Sequence, residues 1–323
     1  MGSKHSLGNL VITTESYSYS PGTNLTGTIF VQTLKDLQAS TLWLRFVGSE
    51  IVQKGSKKKK KFKFLEKKSP VRVWEEGLVR EGQYEIPFSF ELPANLQNSF
   101  NYTAKDLLAC IRYKVKAQIE PTQGKKISDE CEVTIGNPVT QERMGVFKKQ
   151  TLQSKQMCFR QLYCDLKLSV NKNAFVPNEN AVFCLEVYNS NNPVSIDSFT
   201  VSIHRQILTR NSKGKAEIFS HSLWEAEFDG VESFKDKIAP DAIKFSFELE
   251  GVESIPCVKG SYVQCSYILE VRPFMKAYCV KQFQPLNMDI HLFPRIEADQ
   301  RPLPDAPIDW NPYSLPVSNL EMH

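Results

Sequence analysis

The sequence predicts an all-β protein built from two tandem immunoglobulin-like β-sandwich domains and an extended C-terminal tail. Three observations lead to this prediction. Apolar and polar residues alternate along many short segments, proline, glycine and asparagine separate these segments, and a pattern near residue 19 reappears near residue 175. Alternation places apolar side chains on one face of a strand. Many short strands with few helices are typical of sandwiches.

The clearest strand is "IRYKVKAQIE", where Ile111, Tyr113, Val115, Ala117 and Ile119 alternate with polar or charged residues. Such a strand has one buried face and one solvated face. Further strands are predicted, in chain order, at residues 41–52, 84–92, 163–170, 181–189, 199–208, 244–250, 261–271 and 286–293. One short segment, "AKDLLACI", is a modest helix candidate.

The repeated pattern suggests how the chain divides into domains. "YSPGTNLTGTIFVQT" from Tyr19 and "FVPNENAVFCLEVYN" from Phe175 both run from an aromatic residue through a proline turn into a strand. Alternation lapses between the two repeats, which predicts a joint there. We therefore predict an N-terminal segment (1–7), a first sandwich (8–136), a linker (137–160), a second sandwich (161–294) and a proline-containing acidic tail (295–323).

Composition narrows the class of protein. No apolar stretch approaches the roughly 20 residues that span a bilayer, and the first residues lack the apolar core of a signal peptide. We therefore expect a cytoplasmic protein. The eight cysteines form no C-x-x-C pair, so a zinc ribbon is not indicated. Cys265 falls in an alternating run and is expected to be a core residue.

The sequence offers little material for catalysis. Its five histidines are scattered, none accompanies a nucleophile motif, and no glycine-rich phosphate loop occurs. His204 and His291 fall in predicted strands, where we expect them on polar faces. We therefore predict a protein that is not an enzyme, with no catalytic residue, no metal site and no cofactor.

A basic run, "QKGSKKKKKFKFLEKKSPVRVW", stands out in the first domain. It follows one predicted strand and precedes "VRVWEEG", and its "KFKF" suits a strand with phenylalanines inward and lysines in water. A solvated loop, a nuclear signal or nucleic-acid grip, and a site for phosphate groups at a membrane are the open interpretations. We expect no nucleic-acid partner, since no recognised module surrounds the run. The candidate residues for phosphate or anionic lipid are Lys57, Lys58, Lys59, Lys60, Lys61, Lys63, Lys67 and Lys68.

The first residues, "MGSKHS", fit the myristoylation pattern with Gly2 as the acceptor. One myristoyl chain binds membranes only marginally, at roughly 10⁴ M⁻¹, so a polybasic partner signal is needed to hold a protein there. The lysine run is a candidate for that second signal. A vector-derived Met-Gly-Ser start is the competing explanation.

Several segments, taken in order, resemble the arrestin superfamily, and the alpha-arrestin branch most closely. They are "YSPGTNLTGTIFV", "LWLRFVGSE", "GQYEIPFSFELPANLQNSF", "IRYKVKAQIE", "GSYVQCSYILEV" and "PLNMDIHLFP". The resemblance implies a two-sandwich adaptor without catalysis, either a monomer or part of a hetero-complex. It would link membrane cargo or receptors to sorting or ubiquitination machinery in endocytosis, trafficking or signalling, peripherally at the plasma membrane or endosome.

One alternative and one departure accompany this resemblance. A structural scaffold subunit of a retromer-like coat or a cytoskeletal assembly would share the two-sandwich plan. Many alpha-arrestins carry PPxY motifs that recruit WW-domain ubiquitin ligases, whereas Asn311, Pro312 and Tyr313 here form neither PPxY nor NPxY. The fold that the resemblance implies gives only an analogy for function.

Overall fold

The computed structural model describes residues 7–104, 106–137, 144–156, 160–211, 213–248, 255–276, 281–294, 300–303 and 310–322. The chain divides into two compact units. The first combines Met1–Pro138 with Ile296–His323, and the second is Val139–Arg295. Within the described ranges the regular structure is strand, apart from one 3-10 turn at Glu75–Gly77, and the predicted all-β class is confirmed.

The strands are numbered in chain order. Those of the first 138 residues are β1 (Gly8–Thr14), β2 (Ser18–Tyr19), β3 (Asn24–Thr33), β4 (Leu37–Gln38), β5 (Thr41–Lys54), β6 (Lys60–Val73), β7 (Leu78–Val79), β8 (Gly82–Glu91), β9 (Phe100–Ala104), β10 (Leu107–Ile119) and β11 (Ile127–Ile135). The second unit has β12 (Met144–Gln156), β13 (Arg160–Lys172), β14 (Ala174–Phe175), β15 (Asn180–Tyr188), β16 (Ile196–Arg210), β17 (Ala216–Val231), β18 (Ile243–Glu248), β19 (Val258–Lys259), β20 (Val263–Phe274) and β21 (Leu286–Leu292). The tail adds β22 (Tyr313–Ser314) and β23 (Ser318–Leu320).

The first unit is a sandwich of two sheets. One sheet has the order β1-β3-β8, with β22 and β23 on the outer edge of β8. The other has the order β2-β11-β10-β5-β6, with β9 beside β10. Alternate residues of these strands turn inward and form a buried core, as their pattern predicts. Its largest fully buried side chains are Leu10, Leu25, Ile29, Leu42, Leu44, Phe46, Phe88 and Tyr113.

The second unit repeats this plan. Its sheets have the orders β12-β13-β15-β18 and β14-β21-β20-β16-β17, with β19 beside β20. The repeated sequence pattern has a structural counterpart. Tyr19 in β2 pairs parallel to Ile135, and Phe175 in β14 pairs parallel to Leu292. On this basis β10 corresponds to β20, the β5–β6 hairpin to the β16–β17 hairpin, and β8 to β18.

Each sandwich contains a buried tyrosine at equivalent places on β10 and β20. The Tyr113 hydroxyl donates to the carbonyl of Gln97 at 2.9 Å, and the Tyr267 hydroxyl donates to the carbonyl of Ile255 at 2.8 Å. Both carbonyls belong to the segment that enters the neighbouring short strand. Burial raises the pKa of both hydroxyls, so they stay neutral donors at physiological pH. Each hydrogen bond ties an irregular segment to the centre of a sheet.

Two sequence predictions are wrong. The helix candidate "AKDLLACI" forms the end of β9 and the start of β10, because pairing with β5 satisfies the backbone of Leu107–Ile119 across the sheet. The predicted linker 137–160 contains β12, which pairs with β13 along Met144–Gln156. An edge strand exposes more polar side chains than a central one, which explains its weak alternation.

The tail returns to the first sandwich. The backbone N–H of Arg301 donates to the carbonyl of Glu15 at 2.8 Å, and its guanidinium donates to the carbonyl of Glu132 at 2.6 Å. The guanidinium carbon lies 4.2 Å from the Tyr17 ring centroid. Further on, the tail is extended and pairs parallel to β8. The tail acids at 297, 299, 305 and 309 lie outside the described residues. The described contacts of the tail with the first sandwich include backbone pairing, aromatic rings and the guanidinium of Arg301.

Replacing Tyr113 with phenylalanine should lower the free energy of unfolding by about 1 kcal/mol, because a buried hydrogen bond is lost while the ring is kept. The raised pKa adds a pH dependence: neutral Tyr113 stabilises the fold fully below about pH 10, and this contribution falls as the pH rises further. Urea unfolding at pH 7 and at alkaline pH measures both effects.

The control for this variant is Tyr163→Phe, since Tyr163 is 45% exposed. It should leave stability within about 0.5 kcal/mol of the wild type. Equal effects of the two substitutions would contradict the assigned role of Tyr113.

Candidate functional site

The predicted basic residues lie on one hairpin at the edge of the first sandwich. β5 and β6 pair antiparallel, and β5 continues the sheet through its pairing with β10. The turn between them begins at Gly55, whose φ of 51° lies in the left-handed region that favours glycine. The Gly55 N–H donates to the carbonyl of Asp106 at 2.9 Å, and the Lys57 N–H donates to the carbonyl of Lys54 at 3.0 Å. We call residues 54–68 the lysine hairpin.

The eight candidate lysines fall into two groups. Lys57, Lys58, Lys59, Lys60 and Lys61 are exposed at the tip of the lysine hairpin, and within the described ranges none has a carboxylate oxygen within 4 Å. Lys63 bonds Glu66 at 2.5 Å, and Lys68 lies 3.6 Å from the Trp43 ring centroid. Lys67 is half-buried. The uncompensated charge is therefore concentrated at the tip.

Carboxylates partly neutralise the cations on the outer face of the same sheet. Lys114 bonds Glu130 at 2.5 Å, and Arg45 lies 3.4 Å from Glu66. The hydrogen bond from Lys63 lowers the pKa of Glu66, and the one from Lys114 lowers the pKa of Glu130. Both carboxylates therefore remain ionised at neutral pH. These exposed pairs hold side-chain positions more than they add stability.

A β-bulge sets the orientation of β6. Gly48 pairs with Leu65 and the next residue, Ser49, pairs with Lys63, so Phe64 is the extra residue. The Phe64 ring lies edge-on to Tyr113 with centroids 5.8 Å apart, directly over Gly48. A Cβ at Gly48 would lie 2.7 Å from Phe64 Cζ and 3.1 Å from Tyr113 Cε1. The bulge residue Phe64 thus connects the lysine hairpin to Tyr113, the central tyrosine of the first sandwich.

This geometry tests the interpretation of "KFKF". The strand is confirmed, and Lys61 and Lys63 are exposed as predicted. The inward phenylalanines are only partly confirmed, since Phe62 is half-buried and Phe64 is 42% exposed despite its contact with Tyr113. β6 is an edge strand with a neighbouring strand on one side only, so its side chains are covered on that side and exposed on the other.

The remaining candidates are not brought together into a site. Cys265 is buried, as predicted, and burial raises the pKa of its thiol. His204 is bonded to Ser202 at 2.8 Å, within one strand. Among the described residues, no three histidine, cysteine, aspartate or glutamate side chains lie together in a way that could hold a metal ion. Gly2 lies outside the described residues, so its acylation stays a prediction.

Sequence reasoning missed a second assembly, on the edge of β8. Trp310 contacts Phe30 with centroids 6.0 Å apart, and Tyr313 contacts Tyr84 at 5.8 Å. Two aromatic residues close together in a proline-containing tail were the available signal. Their partners could not be identified without the strand register.

Comparison of the sequence with known proteins gives a family match for the first sandwich. Residues 9–142, which include the lysine hairpin and the central tyrosine, match the sequence model of the arrestin (or S-antigen) N-terminal domain. Residues 9–142 therefore belong to the arrestin N-terminal domain family. Arrestin domain-containing protein A of Dictyostelium discoideum is 25% identical over 247 residues, which cover 71% of this chain and 40% of that protein. The matched part of the chain therefore spans less than half the length of that relative.

Within the described ranges, no helix has both the length and the apolar character that a membrane crossing requires.

Substituting Gly48 with alanine should destabilise the first sandwich by about 1–3 kcal/mol, because the added methyl group overpacks a filled space. The loss should be smaller in a background that already carries Phe64→Ala, since the nearest ring is then absent. Thermal unfolding of the two single variants and the double variant measures this coupling. Strictly additive effects would show that Phe64 does not lie over Gly48.

Proposed function

We propose that this chain is a non-enzymatic, arrestin-like adaptor at the cytosolic face of a membrane, where the tip of the lysine hairpin contacts an anionic surface. Arrestin proteins generally act as adaptors without catalysis, and the match of residues 9–142 to their N-terminal domain supports this general role. The observation that supports the finer proposal is the group of five exposed lysines without carboxylate partners at one end of a fixed hairpin. Membrane cargo or receptors, together with sorting machinery, are the partners that the proposal implies.

The lysines of the hairpin tip are better suited to bind an extended anionic surface than a single anion. Each lysine close to an anionic leaflet contributes about 1 kcal/mol, so several acting together give useful affinity. Exposed ammonium groups lose little hydration when they approach lipid headgroups. The interaction is screened over roughly 8 Å at physiological ionic strength, so binding should weaken as salt is added.

The aromatic residues of the hairpin support a membrane more than a nucleic acid. Single-stranded nucleic acids bind where bases stack on aromatic rings beside cations. Here the Phe64 ring packs against Tyr113, Phe62 is half-buried, and Trp74 follows the far end of β6. Neither Phe62 nor Phe64 is therefore a fully exposed ring on which a base could stack beside the tip lysines.

The second sandwich provides an internal comparison. Its equivalent β16–β17 hairpin has only Lys213 and Lys215 between its strands, in place of a continuous run. The basic tip is thus a feature of the first sandwich and not of the duplicated plan. A function that needs this charge should depend on the first sandwich alone.

The variant Lys58→Gln with Lys59→Gln should bind vesicles of phosphatidylcholine and phosphatidylserine roughly thirtyfold more weakly than the wild type, since two contributions of about 1 kcal/mol are lost. Co-sedimentation at several salt concentrations measures this. The matched control is Lys125→Gln with Lys126→Gln, which removes the same charge from another exposed loop of the first sandwich.

The control should bind within about threefold of the wild type, because its lysines are not on the hairpin tip. If both double variants lose affinity equally, net charge alone drives binding. Such a result would contradict a site on the lysine hairpin.

A further inference from the structure

A cavity of about 370 Å³ lies in the first sandwich, where β6 ends and the chain turns back through β7 into β8. Its residues divide by exposure into a charged rim and half-buried walls. The rim is formed by Arg72, Glu75, Glu76 and Arg80, and the walls by Trp74, Leu78, Tyr84 and Leu315. Ligand pockets usually measure roughly 300–1,000 Å³, so this cavity has room for a small ligand. We call it the β6–β8 cavity.

The rim of the β6–β8 cavity carries two cations and two anions that do not pair. Within the described ranges, neither Arg72 nor Arg80 has a carboxylate oxygen within 4 Å of its guanidinium, although Glu75 and Glu76 line the same space. A guanidinium binds phosphate oxygens through strong, charge-assisted hydrogen bonds. A simple anion would also meet repulsion from the two carboxylates. The rim is therefore better suited to a zwitterion, whose opposite charges are a short distance apart.

Trp74 gives the β6–β8 cavity an aromatic wall that is not used inside the protein. Among the described residues, its ring contacts no other ring and no cation, and its indole N–H has no acceptor. Trp43 in the same sandwich shows the contrast, since Lys68 already lies 3.6 Å from its ring centroid. Tryptophan is the best aromatic partner for a cation, and quaternary ammonium groups are recognised in this way. Such a group donates no hydrogen bond, so it depends on a ring face more than a primary ammonium does.

Hydrogen bonds hold the two sides of the β6–β8 cavity in place. The Trp74 N–H donates to the carbonyl of Ser40 at 2.8 Å. The carbonyl of Arg80 accepts from the Thr33 hydroxyl at 2.8 Å and from the Tyr84 hydroxyl at 2.9 Å. Burial raises the pKa of the Tyr84 hydroxyl, so it stays a neutral donor at physiological pH. The site is thus formed before a ligand arrives.

The turn that carries both carboxylates has an unusual backbone. Glu76 has φ 60° and ψ 7°, and Gly77 follows with φ 63°. A residue with a side chain seldom adopts this left-handed region, and holding it there costs free energy. Strain of this kind is concentrated at ligand-binding sites. Here it accompanies two adjacent carboxylates at the rim of a cavity.

We propose that the β6–β8 cavity binds a phosphocholine group. The phosphate oxygens accept hydrogen bonds from Arg72 and Arg80, and the trimethylammonium group lies on the Trp74 ring near Glu75 and Glu76. The cavity is at the opposite end of β6 from the lysine hairpin tip, roughly 40 Å along the strand. Binding therefore does not depend on the proposed membrane contact of the tip.

Isothermal titration calorimetry of the full chain with phosphocholine tests the site, and phosphoethanolamine is the matched ligand because it lacks only the three methyl groups. The wild type should bind phosphocholine about fivefold more tightly than phosphoethanolamine, since the quaternary ammonium gains more from the ring. Trp74→Leu should remove this preference. Arg72→Gln with Arg80→Gln should weaken both ligands by about tenfold, because each guanidinium contacts the shared phosphate.

Two controls match these variants. Trp43→Leu removes an indole from another part of the same sandwich, and Lys125→Gln with Lys126→Gln removes two positive charges from an exposed loop. Both should bind phosphocholine within about twofold of the wild type, and near-ultraviolet circular dichroism checks that every variant is folded. Equal or tighter binding of phosphoethanolamine by the wild type, or equal losses in the variants and their controls, would overturn the assignment.

Vesicles of phosphatidylcholine without anionic lipid distinguish the two sources of a phosphocholine group. Vesicle binding that Trp74→Leu abolishes would identify a lipid headgroup as the ligand. Binding of soluble phosphocholine without vesicle binding would identify a soluble molecule. Absence of binding to both would overturn the site.

Discussion

A tyrosine hydroxyl that donates from the middle of a buried strand to a loop carbonyl is the interaction on which the first sandwich depends. Tyr113 stacks on Phe46 with centroids 5.7 Å apart, meets Phe64 edge-on, and holds the carbonyl of Gln97. An unpaired hydroxyl in this core would be costly, so the ring and its partner are fixed together. The position of β6 follows from this packing, because the Phe64 ring can reach Tyr113 only where Gly48 has no side chain.

The lysine hairpin and the tail contacts lie at two edge positions of this sandwich, β6 and β8. At β6 the lysines that precede the bulge, Lys60, Lys61 and Lys63, are exposed to solvent. At β8 the edge is covered by the tail through backbone pairing and aromatic contacts. The second sandwich keeps the central tyrosine but has neither the lysine run nor a strand added to β18 in its described part. Both surfaces are therefore additions to a common plan.

The sequence predicted what depends on local pattern. Alternation along residues 111–119 identified β10, and the repeated aromatic-proline outline predicted a duplicated fold, because both signals are confined to a few residues. It could not predict which cations have partners across the sheet, since Arg45 meets Glu66 and Lys68 meets Trp43 only through the register of β5 and β6. The edge strands β12 and β17 were missed, because an edge exposes polar side chains on both faces. The contacts of the tail could not be predicted, because they join residues that are far apart in the sequence, such as Asn311 and Gln83.

The central claim is that the lysine hairpin is the surface that meets the membrane. Hydrogen exchange followed by mass spectrometry, with and without anionic vesicles, tests it most directly because it locates the contact on the chain. The account predicts added protection in residues 54–68 that is reversed by salt, with the β16–β17 hairpin unchanged. Protection confined to the β16–β17 hairpin or to β1, with residues 54–68 exchanging as in free solution, would contradict it.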